Sequence, residues 1–220
     1  MAREIPQIQP TDSHRRSARH VLRAMRSGAL ATTLVADGGP YASFVTYATD
    51  PAGYPLLLLS ELSNHTQNLA TESRCSLLVV DGGLSNPQTA ARVSVQAVAE
   101  KIPAGEGRDR LMARFLAIHP AASLYAGFGD FALWRLQPTA AHWIGGFARA
   151  VWLGADFVLS EEAVAAFERS QAETLVAIDG AAAARALGLT DEHWRIVSAD
   201  ADGVDITTGD GDASPRRWAF

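Results

Sequence analysis

Cysteine is almost missing from these 220 residues: the only one, Cys75, stands at the start of a strand-like apolar run. That excludes a disulfide framework and any CxxC metal or redox motif, and leaves a buried, inert thiol. Long apolar runs are missing too. None approaches the ~20 residues that cross a bilayer, and the N-terminal MAREIPQIQPTDSHRRSARH has no hydrophobic signal-peptide core, so a cytoplasmic protein with no membrane partner is expected. There is no dense basic face with interleaved aromatics, and hence no reason to expect nucleic acid as a partner. The histidines, His14, His20, His65, His119, His142 and His193, form no HxxxH or HxH pair, so no metal site with sequence-local ligands is expected. A GxSxG elbow is also absent. Near the end, DADGVDITTGDGD alternates carboxylates as a calcium loop does, but it lacks the closing Glu and reads as an acidic turn.

What remains is a chain that is 48% hydrophobic and long enough to bury a full core, as one large domain or one domain with a small appendage. Its charge is divided unevenly. Residues 156–220 hold thirteen Asp/Glu against five Arg, a net of −8, which leaves +3 for residues 1–155 of a chain whose total is −5. Early basic charge, in Arg15, Arg16, Arg19, Arg23 and Arg26, falls on a predicted helix from about Asp12 to Ser27 capped by Gly28. Ala18, Val21, Leu22 and Met25 supply its apolar stripe, so the arginines read as its solvated face.

Beyond Gly28 the period becomes that of strands. ALATTLVA, YASFVTYA, PLLLLS, CSLLVVD and ARVSVQAVAEKI are separated by turn chemistry such as DGGP and DPAG. An amphipathic helix, EGRDRLMARFLAIH, ends before Pro120 and is followed by two more strands in FALWRLQPTAAHWIGG. Short antiparallel strands with few inserted helices predict a mainly β fold, a barrel with peripheral helices. After residue 155 the composition turns Ala-rich and helical, then gives two short strand candidates in HWRIVSADADGVDITTG. We therefore expect a barrel domain over 1–155 and a small acidic α+β appendage over 156–220.

Between two buried strands lies LSNHTQNLATESR, with Ser63, Asn64, His65, Thr66, Gln67 and Asn68 in a row. With Ser63 as N-cap, the helix start points free backbone N–H groups at a phosphate-sized site, and His65, Thr66 and Asn68 add side-chain donors. The alternative is that Ser63 only caps the helix and its neighbours are solvated surface. Spacing does not decide between them.

The run GALATTLVADGGPYASFVTYATDPAGYPLLLLSELSNHTQNLATESRCSLLVV, followed by LYAGFGDFALWRLQPTAAHWIGGFARAVWL, resembles the flavin-binding split-barrel superfamily that includes the pyridoxamine 5′-phosphate oxidases. Within it, LSxLxxHTxNL and HxxGGFxRA resemble the haem-iron-utilisation branch. The resemblance covers about residues 20–155. It implies a six-stranded antiparallel split barrel, a homodimer, and FMN bound at the subunit interface.

Carried across, the oxidase phosphate-binding Ser-Arg-Lys falls on Ser63, Asn64 and His65, so an amide and an imidazole replace two permanent cations. The oxidase Trp-x-Gly-Gly-x-x-Arg falls on Trp143, Gly145, Gly146 and Arg149; it implies a Trp beside the flavin and an Arg for a substrate phosphate. Ser43, Thr46 and Ser60 become further polar contacts to an isoalloxazine edge. The downstream His-Asp-Arg of the oxidases is replaced here by AVWL, which argues against pyridoxamine phosphate as substrate. Two expectations follow: an FMN-dependent oxidoreductase acting on a small molecule or, as the alternative, a tetrapyrrole-binding or haem-degrading protein. Many members of the branch carry an HxNxDH-like segment near the C-terminus, and ETLVAIDGAAAARALG has no histidine. Iron ligation by the C-terminal part would rest on His193, and otherwise on His65 or His142 in the barrel.

Overall fold

The computed structural model describes residues 8–82, 86, 88–146, 149–177, 179–189, 194–208 and 215–220. Helix α1 (Asp12–Ala24) starts at Thr11, whose hydroxyl accepts from the His14 N–H while the His14 ring accepts from the Thr11 N–H. It ends at Ala24, three residues short of the expected end, because Ser27 and Gly28 already belong to β1 (Ser27–Thr33). Gly28 is a close-approach glycine and not a helix cap: a Cβ there would lie 2.6 Å from the Leu78 carbonyl oxygen of the adjacent strand.

The chain continues through β2 (Pro40–Thr46), the two-residue β3 (Ala48–Thr49), β4 (Pro55–Ser60), α2 (Asn64–Thr71), β5 (Arg74–Val80), β6 (Arg92–Lys101), α3 (Glu106–Ile118), β7 (Phe131–Ile144) and β8 (Ala150–Gly154). These strands form one antiparallel sheet in the order β2-β1-β5-β6-β7-β4-β3, with β8 also on β7. The expected barrel strands are found as β1, β2, β4, β5 and β6, but the two expected in FALWRLQPTAAHWIGG are one continuous strand, β7; β3 and β8 extend the sheet. β7 is long enough to serve two partners, Phe131–Arg135 pairing with β4 and Ala140–Ile144 with β8. Its register against β6 slips at Gln96/Ala97, opposite Pro138, which has no N–H for the ladder, and the bulge lets the sheet curl. The result is a mainly β, curled half-barrel with helices around it.

Alternation builds the interior. β1 and β6 bury every second residue, and Leu30, Leu57, Leu77, Val79, Val93, Val95, Leu136 and Leu153 meet in one cluster with α1 residues Ala18, Val21 and Leu22. Pro55 through Leu59 are buried because β4 is covered on both faces: Leu57 and Leu59 face that cluster, while Leu56 and Leu58 pack with Phe115 and Ile118 of α3. Cys75 is half-buried, and burial pushes its thiol up to about 12, as an inert cysteine requires.

The C-terminal part holds α4 (Glu161–Ala177), α5 (Gly180–Ala186) and a three-stranded sheet of β9 (Trp194–Asp200), β10 (Gly203–Thr208) and β11 (Arg216–Ala219), ordered β11-β10-β9. Here the reading of the N-terminal arginines is corrected. Arg19 and Arg23 are buried, not solvated, and with Arg26, Arg114 and Arg217 they grip Asp200, Asp202 and Asp205. The acidic turn is correspondingly a β9–β10 hairpin whose Asp200 and Asp205 are buried. Desolvation would raise Asp200, but the guanidiniums of Arg23, Arg217 and Arg114 hold it below the ordinary carboxylate range. Burial pulls Arg23 down from its own ordinary value against the pull of Asp200 and Asp202. Five guanidiniums face three carboxylates, and carbonyls of Phe157, Asp50, Pro51, Ala199 and Thr49 accept the surplus N–H groups.

Candidate functional site

The α2 start is a closed knot of hydrogen bonds. Ser63 occupies the N-cap position with extended backbone but gives no side-chain cap; its hydroxyl instead donates to the Ser60 carbonyl at 2.8 Å and bonds the Thr66 hydroxyl at 2.7 Å. The Ser60 hydroxyl donates to Asp130 at 2.6 Å. Asn68 is buried and pins the helix to the sheet, donating to the Thr32 hydroxyl at 2.9 Å and accepting from the Val35 N–H at 3.3 Å. Ser60, Ser63, Thr66 and Asn68 thus spend their polar groups within the protein. Asn64 is exposed and His65 half-buried, and burial lowers the His65 imidazole, which keeps it uncharged at neutral pH. The charged neighbours are Asp130 and Glu61, the latter paired to Lys101 at 2.7 Å.

The remaining candidates are spread over the sheet. Ser43 and Thr46 lie on β2 at positions of opposite parity, so they face opposite sides; Ser43 is half-buried and reaches the Leu30 carbonyl at 3.5 Å, and Thr46 is exposed. Trp143 points inward, 7% exposed, against the His14 ring at 5.5 Å, and its indole N–H is buried with no acceptor among the described residues. Gly145 is required beside it, since a Cβ would sit 2.3 Å from the indole ring. Arg149 is exposed in the β7–β8 connection, where Gly146 turns with φ 111° and accepts from the Arg149 N–H. His193 lies outside the described residues.

Pairing register reveals a feature that the candidates had only touched at His142. Phe44 on β2 faces Ala29 on β1, Ala29 faces Leu78 on β5, Leu78 faces Ser94 on β6, Ser94 faces His142 on β7, and His142 faces Trp152 on β8. Residues in one cross-strand row share a face, and this is the outer one. Phe44 is 77% exposed, Trp152 45% and Leu78 38%. His142 stacks on Trp152 with centroids 4.6 Å apart and planes 19° from parallel. One row further, Val80, Arg92, Ile144 and Ala150 continue the strip. The signal in the sequence was apolar residues at both parities of β5 and β8, too many for a strand with one wet face.

A curled antiparallel sheet with a long strand shared between two halves, and helices packed around it, defines the split-barrel class. The chain belongs to the pyridoxamine 5′-phosphate oxidase family, whose profile matches residues 15–144. Over 130 residues it is 32% identical to "Non-canonical heme oxygenase HOZ, chloroplastic" of Arabidopsis thaliana, a match spanning 59% of this chain and 39% of that protein. The crystal structure of Atu2129, of unknown function, from Agrobacterium tumefaciens is similar over 99% of this chain and 91% of its own, with 27% identity and a TM-score of 0.75. A heme binding protein from Mycobacterium smegmatis is similar over 97% of this chain and 90% of its own, with 29% identity and a TM-score of 0.61. Among the described residues no helix is long and apolar enough to cross a membrane.

Proposed function

We propose that the protein binds a haem-type tetrapyrrole on the outer face of its sheet, where a second copy of the chain completes the site. The observation that carries this is the Phe44–Ala29–Leu78–Ser94–His142–Trp152 row: an outward-facing, largely apolar strip, exposed at Phe44, Leu78 and Trp152, with one imidazole set into it. A porphyrin presents two broad apolar faces and an iron that takes a nitrogen ligand, and its acidic edge suits Arg92 in the adjoining row. An exposed strip of this kind is normally covered by a partner. Relatives named for heme at 32% and 29% identity support the reading. When bound, haem would supply iron redox chemistry; this chain's residues would supply the imidazole of His142, the apolar seat and the exclusion of water.

Haem titration into the purified protein tests it. A Soret band near about 400 nm that saturates at one haem per protomer, and weakens or shifts in His142→Ala but not in His65→Ala, is expected. Sedimentation should give a dimer at micromolar concentration that Phe44→Glu dissociates. Absence of saturable haem binding would sink the reading.

One observation favours flavin instead. The α2 N-terminus lacks a side-chain cap, and no acceptor among the described residues meets the backbone N–H groups of Asn64 and His65, so a phosphate has donors there. Asn64 and His65 supply no permanent cation, and Lys101 nearby is drawn to Glu61 at 2.7 Å. Asn64→Arg should therefore tighten FMN by about 1.5–3 kcal/mol, as a charge-assisted bond does. Tight FMN binding by the unmodified protein, seen as a band near about 450 nm on purification, would favour the flavin-dependent oxidoreductase.

A further inference from the structure

A cavity of about 330 Å³ lies where the N-terminal helix, the end of β7 and β11 meet. It is separate from the outer strip, because its wall residue Trp143 faces inward while the adjacent His142 faces outward. We propose that this cavity is a binding site for a small aromatic zwitterion of the α-amino-acid type.

Two features of the wall point to that chemistry. Trp143, Phe220, Val21, Ala91 and Ala219 supply apolar surface on which an aromatic ring packs. The unspent charges of the wall come in opposite signs. Arg16 and Asp81 both line the cavity, and among the described residues neither side chain has an ion-pair or hydrogen-bond partner. They are not paired with each other either, so they stand more than 4.0 Å apart. The other charged wall residues are already committed, Asp202 to Arg19 and Arg23, and Arg217 to Asp200 and Asp205.

An exposed guanidinium and a half-buried carboxylate, each unpaired among the described residues and beside apolar walls, suit a molecule that carries a carboxylate and an ammonium on one carbon. Arg16, with Ser17 beside it and His20 one helical turn on, takes the carboxylate. Asp81 takes the ammonium.

Calorimetric titration with L-phenylalanine, 3-phenylpropanoate and phenethylamine separates the contributions. L-phenylalanine should bind best, with each one-charge analogue at least tenfold weaker. Arg16→Ala should weaken L-phenylalanine about ten- to a hundredfold and leave phenethylamine unchanged; Asp81→Asn should weaken L-phenylalanine and leave 3-phenylpropanoate unchanged. Because neither side chain holds a partner in the fold, both variants should keep the parent's thermal midpoint. No heat with L-phenylalanine, or binding that ignores Arg16→Ala and Asp81→Asn alike, would overturn the site whatever the outcome with haem.

Discussion

Leu57 and Asp200 are both shielded from solvent completely, yet they hold different parts of the molecule by opposite means. Leu57 sits in the half-barrel among leucines, valines and alanines that attract each other without direction, so many similar packings would serve. Asp200 sits at the seam between α1, α3 and the β9–β10 hairpin and accepts from Arg23, Arg114 and Arg217, each with a set geometry. Apolar burial makes the sheet curl. The ion cluster decides which surface of the C-terminal sheet meets which face of α1, since a shifted dock would leave charges buried and unpaired. Registry, more than net stability, is what such a cluster contributes, because desolvation offsets most of its Coulomb gain.

The largest effect should come from removing its centre. Asp200→Asn leaves the buried guanidiniums of Arg23 and Arg217 and the partly buried one of Arg114 short of their acceptor and should cost about 3–5 kcal/mol in urea unfolding. A loss below about 1 kcal/mol would mean that water reaches the seam, and the contrast with the core would collapse. Leu57→Ala should cost about 2–5 kcal/mol through lost burial and the cavity left behind. The two differ in kind: Asp200→Asn should release protease sites in the C-terminal sheet before the barrel unfolds, and Leu57→Ala should destabilise the barrel itself.

Much of this was legible. Alternation in GALATT and RVSVQAV gives β1 and β6 with their inward residues, and PLLLLS announces a strand covered twice. The seam was not, for a physical reason. Arg19, Arg23 and Arg26 recur at helical spacing beside the apolar stripe, and local periodicity reads any such arginines as solvated, since their acceptors lie about 180 residues away. The clue was the charge split, +3 against −8, which is the seam seen as composition. At the candidate site, the polar row 63–68 was visible, but not that Ser60, Ser63, Thr66 and Asn68 bond inward. The outer row through His142 requires cross-strand register, which no single strand contains.

Acid should separate the regions next. Asp200 and Asp202 are held below their ordinary carboxylate values: desolvation opposes this, and the arginines outweigh it. A depressed carboxylate lends stability that is complete above the unfolded value, about 3.9, and is lost as pH falls through the lower folded value. Stability should hold from neutrality down to about pH 4 and then drop steeply, with the slope reduced in Asp202→Asn. An unchanged acid slope in that variant would show that the seam carboxylates are not what titrates.

The smallest effect tests the same comparison from outside. Lys101, the one lysine of the chain, pairs with Glu61 at 2.7 Å, a distance as short as any in the seam's Asp200 contacts to Arg23 and Arg114. If distance alone set the strength of an ion pair, the two regions would respond alike. They should not, because both Lys101 and Glu61 are about half exposed, at 52% and 55%. Water screens their attraction and both side chains lose freedom in forming it. Lys101→Met should therefore change stability by less than about 1 kcal/mol, and raising salt should erase the difference. Asp200→Asn should keep most of its cost at the same salt, because Asp200 and its partners Arg23 and Arg217 are buried. A Lys101→Met loss that rivals Asp200→Asn would mean that burial is not what distinguishes the seam from the surface.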